Sequence, residues 1–197
     1  GADGHTAVRY RLKDIVDGIG HECLQGSGLI ANATSSAYRD IFTLSYVTGR
    51  AMGIGAYIAR LSARVVQHAD APIVMTNFTS INKALGRDIY VNNKQMGSPK
   101  VMHSNGVTHM VVRDDLSGVG CILNWLSYIP AKKGSPLPFR PTADPVERPL
   151  QFFPPRAPYD PRQMLEDFFD CDSFTETMAE WGKTVVTGRA RLGGLPI

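Results

Sequence analysis

Ten of the 13 prolines fall between Pro130 and Pro161, and that clustering sets the tightest limit on what this chain can fold into. Proline has no N–H to give to a ladder and its ring fixes φ, so such a stretch cannot run through the middle of a sheet. Residues 130–163 are therefore expected to form an extended surface wrap or linker.

Before the prolines, element types alternate. Ala7 to Ile30 reads as short strands with turns at Gly18, Gly20, Gly26 and Gly28. Ile41 to Thr48, rich in β-branched and aromatic residues, reads as a buried strand. Three glycines follow it (Gly49, Gly53, Gly55), and then a helical pattern from Ala56 to Gln67 with Ile58, Leu61 and Val65 on one face. Ala71 to Thr76 reads as a strand, Ser80 to Leu85 as a short helix and Thr108 to Val112 as a strand. Asp114 to Tyr128 reads as a helix in which Leu116, Val119, Leu123 and Leu126 or Trp125 keep a 3.6-residue rhythm. Beyond the prolines lie the acidic run Glu166 to Asp172, a helical pattern from Ser173 to Trp181, a strand from Thr184 to Thr187 and a turn at Gly193-Gly194. Strands alternating with helices imply an α/β layered fold with parallel pairing.

Composition narrows the function classes. With 43% hydrophobic residues in 197 the chain is not intrinsically disordered, and no stretch approaches the ~20 apolar residues of a membrane span. The net charge is +3, but the cations stand mostly singly, which argues against nucleic acid and against an anionic membrane surface. Cys23, Cys121 and Cys171 lie far apart with no CxxC spacing, the usage of reduced, mostly buried thiols in a reducing compartment. The first residues form neither a signal nor a transit peptide and lack an initiator Met, so the chain is expected to be excised from a longer one.

Candidate sites are few. His103 and His109 are six residues apart, not a metal-ligand spacing on a helix, and His21 with Cys23 offers only two ligands. Asp167, Asp170 and Asp172 lack the turn glycine of a calcium loop. No metal site is expected. No nucleophile, base and orienting acid fall into a triad order either. What remains is the strand–glycine turn–helix Tyr46 to Tyr57, where the third glycine of a dinucleotide fingerprint is replaced by Ile58. Such a turn exposes helix-start N–H groups that bind phosphate or stabilise an oxygen anion; the alternative is a tight turn that uses glycine for packing.

Several strings taken together resemble one family. They include Glu22-Cys23-Leu24-Gln25-Gly26-Ser27-Gly28-Leu29-Ile30-Ala31, Gly53-Ile54-Gly55-Ala56-Tyr57-Ile58-Ala59-Arg60-Leu61 and Ile81-Asn82-Lys83-Ala84-Leu85-Gly86-Arg87-Asp88-Ile89-Tyr90. Asn105 to His109, Asp114 to Leu116, Trp125 to Pro130, Tyr159 to Arg162 and Thr187 to Pro196 follow in the same order. The chain resembles the carboxyltransferase region of eukaryotic, multidomain acetyl-CoA carboxylases from about Tyr10 onward. Two departures stand out: a short connection, Glu166-Asp167, where the family carries a longer loop, and His21 in place of a small apolar residue.

The resemblance implies a crotonase-like spiral of β-β-α units, of which this chain holds the later part of the first subdomain. It implies transfer of a carboxyl group from carboxybiotin, carried on a biotin carrier domain absent here, to acetyl-CoA, giving malonyl-CoA for fatty-acid synthesis. The ATP-dependent step belongs to the parent enzyme. Implied partners are acetyl-CoA, the carrier domain, a second carboxyltransferase subdomain and a homodimer of the parent enzyme. Cytosol is the implied compartment, with the plastid as alternative. The implied oxyanion-holding turn is Gly53-Ile54-Gly55, with the Gly53 and Ile54 N–H groups as donors. Tyr57, Ile58, Leu61 and Tyr90 would line the cleft. Arg87 is either an anion contact or a surface helix-end cation, and Gly26 and Gly28 either approach CoA or only turn the chain. A non-catalytic CoA-binding scaffold and a propionyl-CoA enzyme are the competing readings.

Overall fold

A computed structural model describes residues 24–197. The earlier part of the strand-and-turn reading of Ala7 to Ile30, with His21 and Cys23, lies outside the described residues. Its later part is corrected. Leu24–Ala37 is a helix, α1, so Gly26 and Gly28 are helical positions and not a turn. The space around Gly28 is open. Glycine propensity is overridden here by packing of α1 on the second helix, and Ala31, Ala33 and Ala37 supply strong helix formers.

The middle of the chain repeats one arrangement. Strand β1 (Leu44–Val47) is followed by the short β2 (Ala51–Met52) and helix α2 (Ile54–Leu61). Then β3 (Arg64–His68) is followed by the short β4 (Ile73–Val74) and helix α3 (Phe78–Leu85). Helical turns α4 (Lys94–Gly97) and α5 (Pro99–Met102) lead to β5 (Met110–Val112) and helix α6 (Asp115–Leu126). The long strands form one parallel sheet in the order β1-β3-β5, and β2 and β4 pair parallel in a second sheet. The first two turns of chain each lay one strand in each sheet and return through a helix, the β-β-α unit that the resemblance implies, while the third contributes β5 and α6 without a strand in the second sheet.

Packing explains the register. Pairing Ser45 with Val65 and Tyr46 with Val66 places both valines in the core with no exposed surface. Val66 points to the other face of the sheet, while Val65 shares one apolar cluster with Val47, Ala56, Ala59, Ala71 and Ile73. One polar group sits inside it. Gln67, fully buried, donates through Nε2 to the carbonyls of Ala71 at 2.7 Å and Gly97 at 2.9 Å, and its Oε1 accepts from Thr108 Oγ1 at 2.6 Å. It thereby ties β3 to two loops, with its amide satisfied on both atoms.

Three expected elements differ. The helical pattern Ala56 to Gln67 is a helix only to Leu61; Ser62 turns extended (φ −72°, ψ 152°) and Arg64–His68 is β3. Over two turns a 3.6 rhythm does not distinguish helix from strand, and the β-branched pair Val65-Val66 settles it. Helix α6 occurs where expected, capped by Asp114, whose Oδ1 accepts from the Ser117 N–H at 2.7 Å. Its inner face is Gly118 and Trp125; Leu116 is 83% and Leu123 61% exposed, so the leucine stripe faces out. Gly118 lies inward because Tyr46 occupies the space its side chain would need.

After α6, residues 130–160 carry no helix or strand. Helix α7 (Pro161–Phe168) then opens with proline in its first turn behind Asp160, whose Oδ1 accepts from the Arg162 N–H at 3.0 Å. Ser173 to Trp181 holds no helix: Thr175–Thr177 (β6) pairs antiparallel with Thr187–Arg189 (β7), so the strand expected at Thr184 to Thr187 is displaced toward the C-terminus. Alternating threonines suit a pleated surface, and Asp172 and Met178 at φ 56° and 60° break any helical run. The final hairpin, β8 (Arg191–Leu192) and β9 (Leu195–Pro196), turns at Gly193-Gly194 as expected.

Candidate functional site

The glycine turn sits where β2 ends and α2 begins. Gly53 adopts φ 57°, ψ −122°, a conformation open to glycine and strained for other residues. Its N–H donates to the Val74 carbonyl at 3.0 Å, and Ala51 N–H donates to Pro72 O at 2.9 Å. Both bonds lock the turn to the neighbouring β4 segment. The Gly53 amide is therefore engaged inside the protein, and its expected role as a donor to ligand is corrected: pairing of β2 with β4 claims it.

The next amides are different. The first bond of α2 runs from Tyr57 N–H to Gly53 O at 3.1 Å, and no side chain caps the helix start. Helix geometry then leaves the N–H groups of Ile54, Gly55 and Ala56 without an acceptor inside the helix, the first two at its exposed start. They carry the partial positive charge of the helix N-terminus, reinforced by alignment of the peptide dipoles. No acidic residue occupies the first turn to compete for them. Gly55 has open space where a side chain would stand.

Helix α2 presents Ala56 and Ala59 to the core, and these small residues allow its backbone to lie close to the sheet. Ile58 and Leu61 are half-buried, while Tyr57 is half-exposed on the outer side. The expected lining residues of α2 thus divide between the two faces.

Arg87 and Tyr90 come together elsewhere. They line a cavity of about 590 Å³ with Phe78, Asn82 and Lys83. Asn82 builds this place. Its Oδ1 accepts from the N–H groups of Ile89 at 3.2 Å and Tyr90 at 3.0 Å, and its Nδ2 donates to Tyr90 O at 2.7 Å. Gly86, left-handed at φ 66°, ends α3 and lets the chain fold back so that Asn82 reaches that loop. Sequence reading passed over Asn82; the signal available was an asparagine one turn before a glycine helix stop. Gly26 and Gly28, inside α1, line neither feature.

His109 does structural work. His109 Nδ1 accepts from the Val65 N–H at 3.0 Å, and its own N–H donates to Val65 O at 2.9 Å, extending the β3–β5 pairing with a side chain. Burial, helped by the charges of Arg64, Arg60 and His103, pushes its imidazole down to about 4. Nδ1 is thus held as a neutral acceptor. Among the described residues no group of three or more His, Cys, Asp or Glu side chains could hold a metal ion, and no helix is long and apolar enough to cross a membrane.

Residues 6–197 match the model of the carboxyl transferase domain family. The chain belongs to that family. It is 51% identical over 204 residues to acetyl-CoA carboxylase 2 of Arabidopsis thaliana, covering 96% of this chain and 9% of that protein. Acetyl-CoA carboxylase 1 of Oryza sativa subsp. japonica is 50% identical over 192 residues, and the Saccharomyces cerevisiae acetyl-CoA carboxylase 48% over 203. The chain spans less than a tenth of the length of these relatives. Among solved structures, transcarboxylase 12S, a hexamer crystallised with hydrolysed methylmalonyl-coenzyme A, superposes with a TM-score of 0.81 at 21% identity. That match covers 90% of this chain and 35% of the other, and it establishes the fold as crotonase-like α/β.

Proposed function

We propose that this carboxyl transferase segment supplies the carboxyl-donor side of an acetyl-CoA carboxylase site, and that the N–H groups of Ile54 and Gly55 are its oxyanion donors. The reaction is carboxyl transfer from carboxybiotin, borne on a carrier domain, to acetyl-CoA, giving malonyl-CoA. Biotin, when bound, supplies the carboxyl group and a ureido oxygen on which negative charge develops as that group leaves.

The turn suits that oxygen. It offers main-chain donors and no fixed acid, so a neutral acceptor that becomes negative during reaction is favoured more in the transition state than before it. The observation that carries the reading is the uncapped start of α2 behind a glycine whose own amide is held by Val74. Because Gly53 is pinned, the Ile54 and Gly55 amides are already aimed and need no rearrangement when charge appears. Each such donor is worth ~2.7–4 kcal/mol of barrier in comparable oxyanion sites. The absence of a triad from the sequence is consistent with chemistry in which main-chain dipoles, and not a side-chain base, do the work.

Tyr90 and Arg87, fixed by Asn82, are read as a substrate-facing wall, and Tyr57, Ile58 and Leu61 as the flank of the donor turn. The donors for the acetyl-CoA enolate are assigned to a second carboxyltransferase subdomain, contributed by the partner protomer of a dimer. The 197-residue chain alone is accordingly expected to form no malonyl-CoA.

The test is Ile54→Pro in the enzyme that contains this segment. Proline is well tolerated at the first position of a helix and removes only the N–H there. Carboxyl transfer is expected to fall roughly 100- to 1,000-fold while ATP-dependent biotin carboxylation stays unchanged. Transfer at the parental rate would refute the assignment.

A further inference from the structure

At the opposite end of α2 from the donor turn, two arginines share one aromatic ring. The guanidinium carbon of Arg64, at the start of β3, lies 5.2 Å from the centroid of Trp125, and that of Arg189, at the end of β7, lies 5.7 Å from it. Trp125 is only 2% exposed, and Phe42 stacks on it at 5.7 Å with an interplanar angle of 14°. The ring is therefore held in place, with both guanidinium groups close to it.

Other partly buried arginines of this chain have their donors engaged. Arg148 donates to the carbonyls of Asp167, Phe168 and Phe169, and Arg191 to those of Pro138, Gly194 and Ser127. Arg162 lies between Asp160 and Glu176. Among the described residues Arg64 has one bond, from Nη1 to the carbonyl of Ala63 at 2.7 Å, and its buried Nε has no partner. Among the described residues neither Arg64 nor Arg189 has a carboxylate within ion-pair distance. Burial and the charge of Arg189 both lower the proton affinity of Arg64, and only the Tyr38 hydroxyl acts the other way. Two like charges held together without a counter-charge are unfavourable unless something negative joins them.

We propose that Arg64 and Arg189, beside the Trp125 ring, form a binding site for one carboxylate group. Guanidinium edges match the planar, two-oxygen carboxylate in shape as well as charge. The group arrives either as a free small carboxylate or as an Asp or Glu side chain of a second copy of this chain.

Trp125 reports directly. In the Trp181→Phe chain it is the sole tryptophan, and sodium acetate is titrated against it at constant ionic strength with chloride as balance. A saturating change in Trp125 emission is expected, weakened about 10-fold or more by Arg189→Gln and less by Arg189→Lys, which keeps the charge but not the planar fork. Circular dichroism of both variants verifies the fold. A dilution series followed by sedimentation velocity separates the sources. Acetate saturation in a chain that is monomeric throughout identifies a free carboxylate. Self-association that acetate reverses and Arg189→Gln abolishes identifies a side chain of a second copy. Identical, non-saturating responses to acetate and chloride, with no dependence on Arg189 and no self-association, would overturn the site.

Discussion

The sheet region, residues 44–128, and the C-terminal region, residues 161–197, hold themselves together by different means. In the first, β-branched side chains vanish from solvent: Val65 and Val66 are fully buried and Ile73 and Val74 nearly so. In the second, the buried groups are largely polar. Asp170 accepts from the N–H groups of Gly193 at 2.8 Å and Gly194 at 2.7 Å, and buried Arg191 collects three carbonyls. The lesson is that a short irregular segment with little apolar surface can still be fixed if charged side chains satisfy its backbone. Such ties are directional, so they fail more abruptly than apolar contacts when one partner is removed.

That contrast can be broken from either side. The largest effect is expected from Asp170→Ala, which leaves two N–H groups of the final hairpin without their acceptor and should lower stability by about 3–5 kcal/mol. Urea unfolding followed by circular dichroism measures it, and a loss below that of an exposed alanine substitution would show that water replaces the carboxylate. On the sheet side, Gln67→Leu keeps volume but orphans the carbonyls of Ala71 and Gly97, with an expected loss of about 2–3 kcal/mol. Hydrogen exchange should then speed up in β3 and its flanking loops and not in the C-terminal hairpin. Gly53→Ala puts a side chain on a left-handed residue and should cost roughly 1–3 kcal/mol. The smallest effect is that of pH. His109 binds its proton less readily folded than unfolded, so its contribution is intact above about 6.5 and is lost as pH falls toward about 4. The loss should appear first in exchange of the Val65 amide, and His109→Gln should remove that part of the pH profile.

Legibility in the sequence followed the same divide. The strands around Leu44 to Val47 and Met110 to Val112, and helix α6, were readable because β-branched runs and a capping aspartate are local signals. The division of Ala56 to Gln67 into helix and strand was not, since only pairing with β1 distinguishes them. The direction of the leucine stripe of α6 was not legible, because periodicity gives a face but not which way it points, and Tyr46 and Gly118 decide that. At the candidate site, the glycine turn could be located from its residues. Which amide remains free could not, because the Val74 carbonyl that takes the Gly53 N–H lies 21 residues along the chain. Asp170 and Arg148 act through backbone groups brought near only by folding, and no spacing announces them.

The outward stripe on α6 has a practical consequence. Leu116, Val119, Leu123 and Leu126 place four large aliphatic groups in contact with water along one helix. Ordering water over that surface is costly, so excluded salts such as sulfate should drive this polypeptide out of solution at unusually low concentration. Replacing Leu116 and Leu123 by glutamate would relieve that tendency while leaving Trp125 and Gly118, and with them the underside of the helix, as they are.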